Sequence, residues 1–321
     1  MKAFLLFISI FIFVSGLFPD AAEGDYRVYH RVFAQIETLI ANEQFEEAES
    51  ELRKLFDAYE VKFAKDYVVA AQVGLMTGHR REALTYLDQA VRMGVKSDCL
   101  RKIGFLRDRL DESAWKQLEE RSGELRRTYL TGIDFGLHQE FNKRYQREQD
   151  TKTTERYKTV VSSNFRRIKT IFEERGFPGE TLVGLDNERI APSISECECG
   201  NSKIIVTLLH YDYPVSELGM EKLISAIELG NLHPREFASI YTFERNRVSV
   251  LYDGFKQLEP SDKSYPPLPN YEFNFPFGKI SADTVRVNAD RQLFGIRSIE
   301  TEEKLAAVSR EYGIKLEFGY R

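Results

Sequence analysis

Between Tyr26 and Leu130 the chain contains no proline, and this constrains its fold more than any motif does. Proline inside a helix removes an amide donor and clashes with the preceding turn, so its absence over so long a stretch leaves helices free to run. Apolar residues recur there at helical spacing: Val32, Ile36, Leu39 and Ile40, then Phe45, Ala48, Leu52, Leu55 and Phe56. That period places one apolar stripe on each of two successive helices.

The pattern then repeats. Ala48 with Leu52 has its counterpart in Ala83 with Leu87, 35 residues on. Tyr67, Ala71, Gly78, Ala83, Leu87 and Ala90 fall in the order aromatic, small, turn glycine, small, bulky, small. This resembles the tetratricopeptide repeat, in which small residues let paired helices approach and a glycine ends the first of them. Two such units are too few for a stable stack, so a third helical pair is expected from residues 98–109 and 113–130. Trp115, the single tryptophan, is read there as a core anchor rather than a ligand platform.

Composition narrows the setting. Of 321 residues 30% are charged and 42% hydrophobic, a folded and not a disordered balance. The net charge of −5 offers no global polycation, so no nucleic-acid partner is expected. Lys2 is followed by an apolar stretch, Ala3–Phe18, shorter than the roughly 20 residues a spanning helix needs. Residues 1–24 are therefore read as a secretory signal peptide, cut after Gly16 or after Gly24. The mature protein is expected to be exported, periplasmic or extracellular in a bacterium, with no stable membrane insertion once the leader is gone. Three cysteines make no disulfide framework.

Residues 140–170 carry nine Lys or Arg against four acids. They read as one long helix ending at Gly176, with Phe165, Ile168, Ile171 and Phe172 as its buried stripe. A solvated charged face is the stronger reading of the basic run, and an anion-facing patch the alternative. Gly176-Phe177-Pro178-Gly179 stops the helix. Ile204–Leu209 is a buried run ambiguous between helix and strand. Residues 217–229 and 234–243 are helices, the second with Pro234 in its first turn.

The order Gly176-Phe177-Pro178, then Val183-Gly184, then His210-Tyr211-Asp212, then a helix carrying Ala238 resembles a family of exported bacterial proteins of unknown function. That family's pattern is Gly-Trp-Pro, Val-Gly and Gln-His-Ala-Asp, and several members carry a helical-repeat region in front. The resemblance covers roughly residues 140–250. It departs from the pattern at Leu209, Tyr211 and Thr242-Phe243-Glu244-Arg245. It implies a relative and no reaction.

Four residues have catalytic flavour: His210, Asp212, His233 and Glu236. A histidine with carboxylates can serve as acid and base or hold a divalent metal. Structural hydrogen bonding is the stronger reading, since His233 precedes Pro234 where a helix cap is ordinary. Cys197-Glu198-Cys199 reads as an exposed loop with a local disulfide or free thiols, a bridge from Cys99 to one of the pair being the alternative. There is no phosphate loop, dinucleotide fingerprint, nucleophile elbow or zinc-protease motif, so no cofactor or metal is expected. Tyr271, Phe273, Phe275 and Phe277 alternate at strand period. They read as the buried face of an edge strand, with a glycan platform as the alternative. Residues 299–312 form a helix, and Ile314, Leu316, Phe318 and Tyr320 alternate as a last strand.

The expected architecture is mainly α. Tetratricopeptide-like helical hairpins at 25–130 lead into a helical domain at 131–321 that carries a small antiparallel sheet. The expected function is a non-enzymatic interaction or scaffold protein with a protein partner. The alternatives are a hydrolase-like enzyme using His210 and Asp212, and a glycan-binding module on the 271–277 aromatics.

Overall fold

A computed structural model describes residues 25–186, 200–246, 265–274 and 281–318, together with the backbone of 248–251 and 254–257. The leader, Cys197, Cys199, Phe275, Phe277 and Tyr320 lie outside the described residues. The described chain is mainly helical. α1 (Tyr26–Ala41) and α2 (Phe45–Ala58) form one hairpin, and α3 (Ala64–Met76) and α4 (Arg80–Arg92) the next. The short α5 (Ser97–Arg101) and α6 (Gly104–Arg109) lead to α7 (Glu112–Gly132), which packs on α4. Ala71, Ala83 and Ala90 are fully buried, and Gly78 turns the chain between α3 and α4 at φ +82°. Trp115 is buried in the same core, with the Arg101 guanidinium 5.3 Å from its ring.

The basic middle is two helices, not one. α8 (Phe135–Thr151) and α9 (Tyr157–Arg175) fold back on each other. The break falls at Thr151–Arg156, where the Thr154 hydroxyl donates to the Thr151 carbonyl and accepts from the Arg156 amide. Such local bonds compete with the helix ladder. Gly176 ends α9 at φ +86°, a conformation that favours glycine. After α10 (Glu180–Val183), Gly184 at φ +81° passes under Tyr129, whose hydroxyl accepts from the Leu185 amide at 2.8 Å. A side chain at Gly184 would collide with that ring, which gives the Val-Gly step a physical reason.

The run at 204–209 is helix: α11 (Ser202–His210), buried along its whole length. α12 (Pro214–Leu218), α13 (Met220–Glu228) and α14 (Pro234–Arg245) surround it, with α15 (Thr284–Leu293) and α16 (Ile299–Tyr312) closing the chain. Two apolar cores result. One gathers α8, α9, α11, α13 and α14 with Phe273, Phe294 and Ile296. The other gathers the first hairpins, and it also takes Leu305 and Val308 of α16 and Ile314, Leu316 and Phe318 beyond it.

Among the described residues the expected sheet does not form around the segments at 271–274 and 314–318. Among the described residues the extended pairing is one hairpin, Val248–Leu251 (β1) with Gly254–Gln257 (β2), and no third strand joins it. The segments at 271–274 and 314–318, both expected as strands, are extended chain without a ladder. The reason is that side chains take over what neighbouring strands would do. Tyr241 Oη bonds the Pro269 carbonyl and accepts from the Tyr271 amide. Arg245 donates to the Tyr271 carbonyl, Asp290 accepts from the Glu272 amide, and Arg291 donates to the Phe273 carbonyl. At the far end Gln72 does the same for Lys315. Alternation of apolar residues reports one-sided burial of an extended chain, and that needs no sheet when the backbone groups are satisfied otherwise.

Phe318 is 1% exposed in the core of the helical hairpins. Phe318→Ala should cost about 3–5 kcal/mol by leaving a cavity there. Urea unfolding followed by Trp115 fluorescence should record the loss, because the only tryptophan sits in that core.

Candidate functional site

The four catalytic candidates do not converge: His210 and Asp212 lie at the end of α11, and His233 and Glu236 at the start of α14. His210 ends α11, and its Nδ1 lies 2.5 Å from Oε1 of Glu148, which is fully buried on α8. The other oxygen of Glu148 accepts from the Asn164 amide of α9 at 2.7 Å. The Tyr157 ring stands edge-on to His210, with centroids 5.9 Å apart. Burial, with Glu148 close by, raises the Tyr157 phenol well above its usual range. A buried carboxylate on one ring nitrogen fixes the orientation of an imidazole, as in catalytic His–carboxylate pairs. It equally ties three helices together. Asp212, two residues on, is half-buried beyond the helix end.

His233 and Glu236 work on a helix start. His233 is the N-cap of α14, and its Nδ1 accepts from the Arg235 amide at 3.2 Å. Glu236, three residues later, accepts from the His233 amide, the return half of a capping box whose forward bond goes to Arg235. The His233 ring packs against His30 and Phe63, both centroids at 5.1 Å, so the cap is sealed under α1 and the start of α3. Burial, with Lys65 and His30 adding like charge, holds His233 well below its ordinary value. Burial pushes Glu236 up to about 8.

Among the described residues no group of three or more His, Cys, Asp or Glu is placed to hold a metal ion. Cys99 is buried and disulfide-bonded. Of the aromatic segment, Phe273 is 1% exposed and packs on Phe237, Tyr241 and Phe294. Tyr271 is half-buried beside Tyr241 and Phe294. Phe273 has no ring face left for a sugar.

A second arrangement has the geometry of recognition. Gln72 is fully buried on α3. Its side-chain amide donates to the Lys315 carbonyl at 2.7 Å and accepts from the Lys315 amide at 2.7 Å. Ile314, Leu316 and Phe318 flank this clamp and point into the core of the helical hairpins, all under 5% exposed. Glu317, facing the other way, takes the Arg297 guanidinium at 2.6 Å. An extended five-residue segment is thus read by backbone pairing at one residue and apolar burial at alternate ones.

Glu148 and Gln72 were both missed in the sequence, and both left a signal. Leu137, Phe141, Tyr145 and Glu148 form one helical stripe, so the glutamate continues the buried face of α8. Gln72 sits inside the apolar run Val68-Val69-Ala70-Ala71-Gln72-Val73, where a lone polar side chain must find a partner. No family model, curated protein or solved structure matches the chain.

The two shifted groups of the capping box make opposite contributions to stability. The native state keeps the Glu236 proton up to about pH 8, whereas the unfolded chain releases it near the ordinary glutamate value of 4.5, so this contribution is lost as pH rises through that window. His233 stays neutral in the native state while the unfolded chain binds a proton below 6.5, so its contribution is lost as pH falls below that value. The two slopes oppose each other between about 4.5 and 6.5, and only the Glu236 decline remains from about 6.5 to 8. Glu236→Gln should make the decline above 6.5 shallower and turn the slope between pH 4.5 and 6.5 upward relative to the unsubstituted protein. Urea midpoints taken across that range for both proteins check this.

Proposed function

We propose that the protein is an exported, non-enzymatic interaction protein whose tetratricopeptide-like hairpins hold an extended chain segment. The observation that carries this is the clamp of buried Gln72 on both backbone groups of Lys315, with apolar side chains inserted on either side. It is the chemistry by which helical arrays take extended peptides: main-chain pairing for affinity, alternate pockets for specificity. The segment held here is the chain's own, so a partner of this class would present the same alternation. The short apolar leader supports export. The small residues Ala71, Ala83 and Ala90 and the turn at Gly78 support the repeat reading.

The catalytic alternative has less to stand on. His233 and Glu236 serve a helix cap, and His210 is 7% exposed, with its Nδ1 on Glu148. The glycan alternative loses Phe273 to the core.

The test is binding in trans. A chain ending at Gly313 should bind a synthetic peptide of the sequence Ile-Lys-Leu-Glu-Phe-Gly-Tyr-Arg and regain thermal stability in proportion to its occupancy. The same peptide with Asp in place of Leu316 should do neither. If the shortened chain fails to fold, amide exchange in the full chain takes its place, and Gln72→Ala should speed exchange at Lys315. No peptide binding by a folded shortened chain, or unchanged exchange in Gln72→Ala, would count against the reading.

A further inference from the structure

We infer that the groove between α8 and α9 is a binding site for a ligand carrying two or more phosphate groups. The groove encloses about 480 Å³, within the range of small-molecule sites. α8 lines it with Lys143, Arg144 and Arg147, and α9 with Thr159, Ser163 and Arg166. Each set repeats at three- and four-residue steps, so one face of each helix is turned to the other across the opening. The result is a concave surface of four cations and two hydroxyls in a chain whose net charge is −5.

The charge balance inside the groove favours an anion. Its one acid, Glu140, is already shared by two guanidiniums, Arg144 at 2.7 Å and Arg167 at 2.9 Å. Among the described residues Lys143, Arg147 and Arg166 have no carboxylate partner. Like charges at these helical spacings repel, so the arrangement is unfavourable until an anion enters. The Arg144 fork is held in place by Glu140, and the floor is firm. Asn164 is 3% exposed and donates to Glu148 and to the Arg144 carbonyl. The groove therefore rests on the buried bond between Glu148 and His210. Guanidinium forks match tetrahedral phosphate oxygens, and the Thr159 and Ser163 hydroxyls add donors of the right kind. One phosphate would leave most of the cations unmatched, which is why the ligand is assigned at least two.

The phosphates of a soluble anion and of a lipid headgroup share this chemistry, and the experiment separates them. The full chain without its leader is titrated calorimetrically with inorganic pyrophosphate. In a second arm it is sedimented with phosphatidylcholine vesicles containing cardiolipin, whose headgroup carries two phosphates. The variant Lys143→Ala, Arg147→Ala, Arg166→Ala changes only exposed side chains. Arg81→Ala with Arg121→Ala, which line the separate groove between α4 and α7, is the control. Pyrophosphate binding weakened about tenfold or more in the triple variant and kept in the control assigns a soluble phosphoanion. Vesicle binding lost in the same pattern assigns a headgroup. Binding in neither arm, or binding that the triple variant retains, overturns the proposal.

Discussion

A guanidinium with no access to water must have its charge matched by the protein, and Arg297 is such a group. Its side chain is 0% exposed. One nitrogen donates to Glu37 of α1 at 2.5 Å and another to Glu317 at 2.6 Å. Burial works against Glu302 ionising, yet Arg235, Arg297 and Arg291 together hold its carboxyl far below the usual range. A buried arginine stripped of its partners is far more costly than the same pair intact, so these elements have to arrive together. The constraint reaches from Glu37, near the end of the first helix, to Glu317 beyond the last. It makes the C-terminal segment part of the N-terminal core.

Several of the structure's oddities follow from that return. The segment after α16 lies extended against helices, where there is no strand edge to meet its backbone. Gln72 supplies the missing donor and acceptor from within α3. The 265–274 segment faces the same problem against α14 and α15, and Tyr241, Arg245, Asp290 and Arg291 solve it there. Helices flank both segments, and in both places long polar side chains reach over to the extended backbone. The surface on which a helical array would display a peptide site is accordingly filled by the chain itself. The basic α8–α9 groove is left open, over a floor that the Asn164–Glu148–His210 bonds keep rigid.

The helical part was legible because its signals are local. The 3.6-residue period of Val32 to Phe56, the glycine at 176 and the proline at 234 each act within a turn or two, and α1, α2, the end of α9 and the start of α14 fall where they point. The sheet was misread because period-two alternation is a statement about which side of an extended chain is buried. It carries no information about what pairs with the backbone, and Gln72 lies 243 residues from Lys315. The break at Thr151–Arg156 was missed for a related reason: threonine hydroxyls can leave a helix intact or interrupt it, and the composition alone does not decide. Among the candidate residues, His233 was legible as a cap from its place before Pro234. His210 stood out as a candidate for catalysis or structural hydrogen bonding, but its partner lies 62 residues upstream on another helix, beyond the reach of spacing arguments.

The C-terminal segment is a structural member of the first helical hairpins. Native-state hydrogen exchange of the full chain, compared with Arg297→Ala, tests it most directly. Amides of α1 and α3 should lose protection together with those of α16 and residues 314–318. If only α16 and the segment after it exchange faster, while α1 and α3 keep their original rates, the hairpins stand without their C-terminal cover and the claim is contradicted.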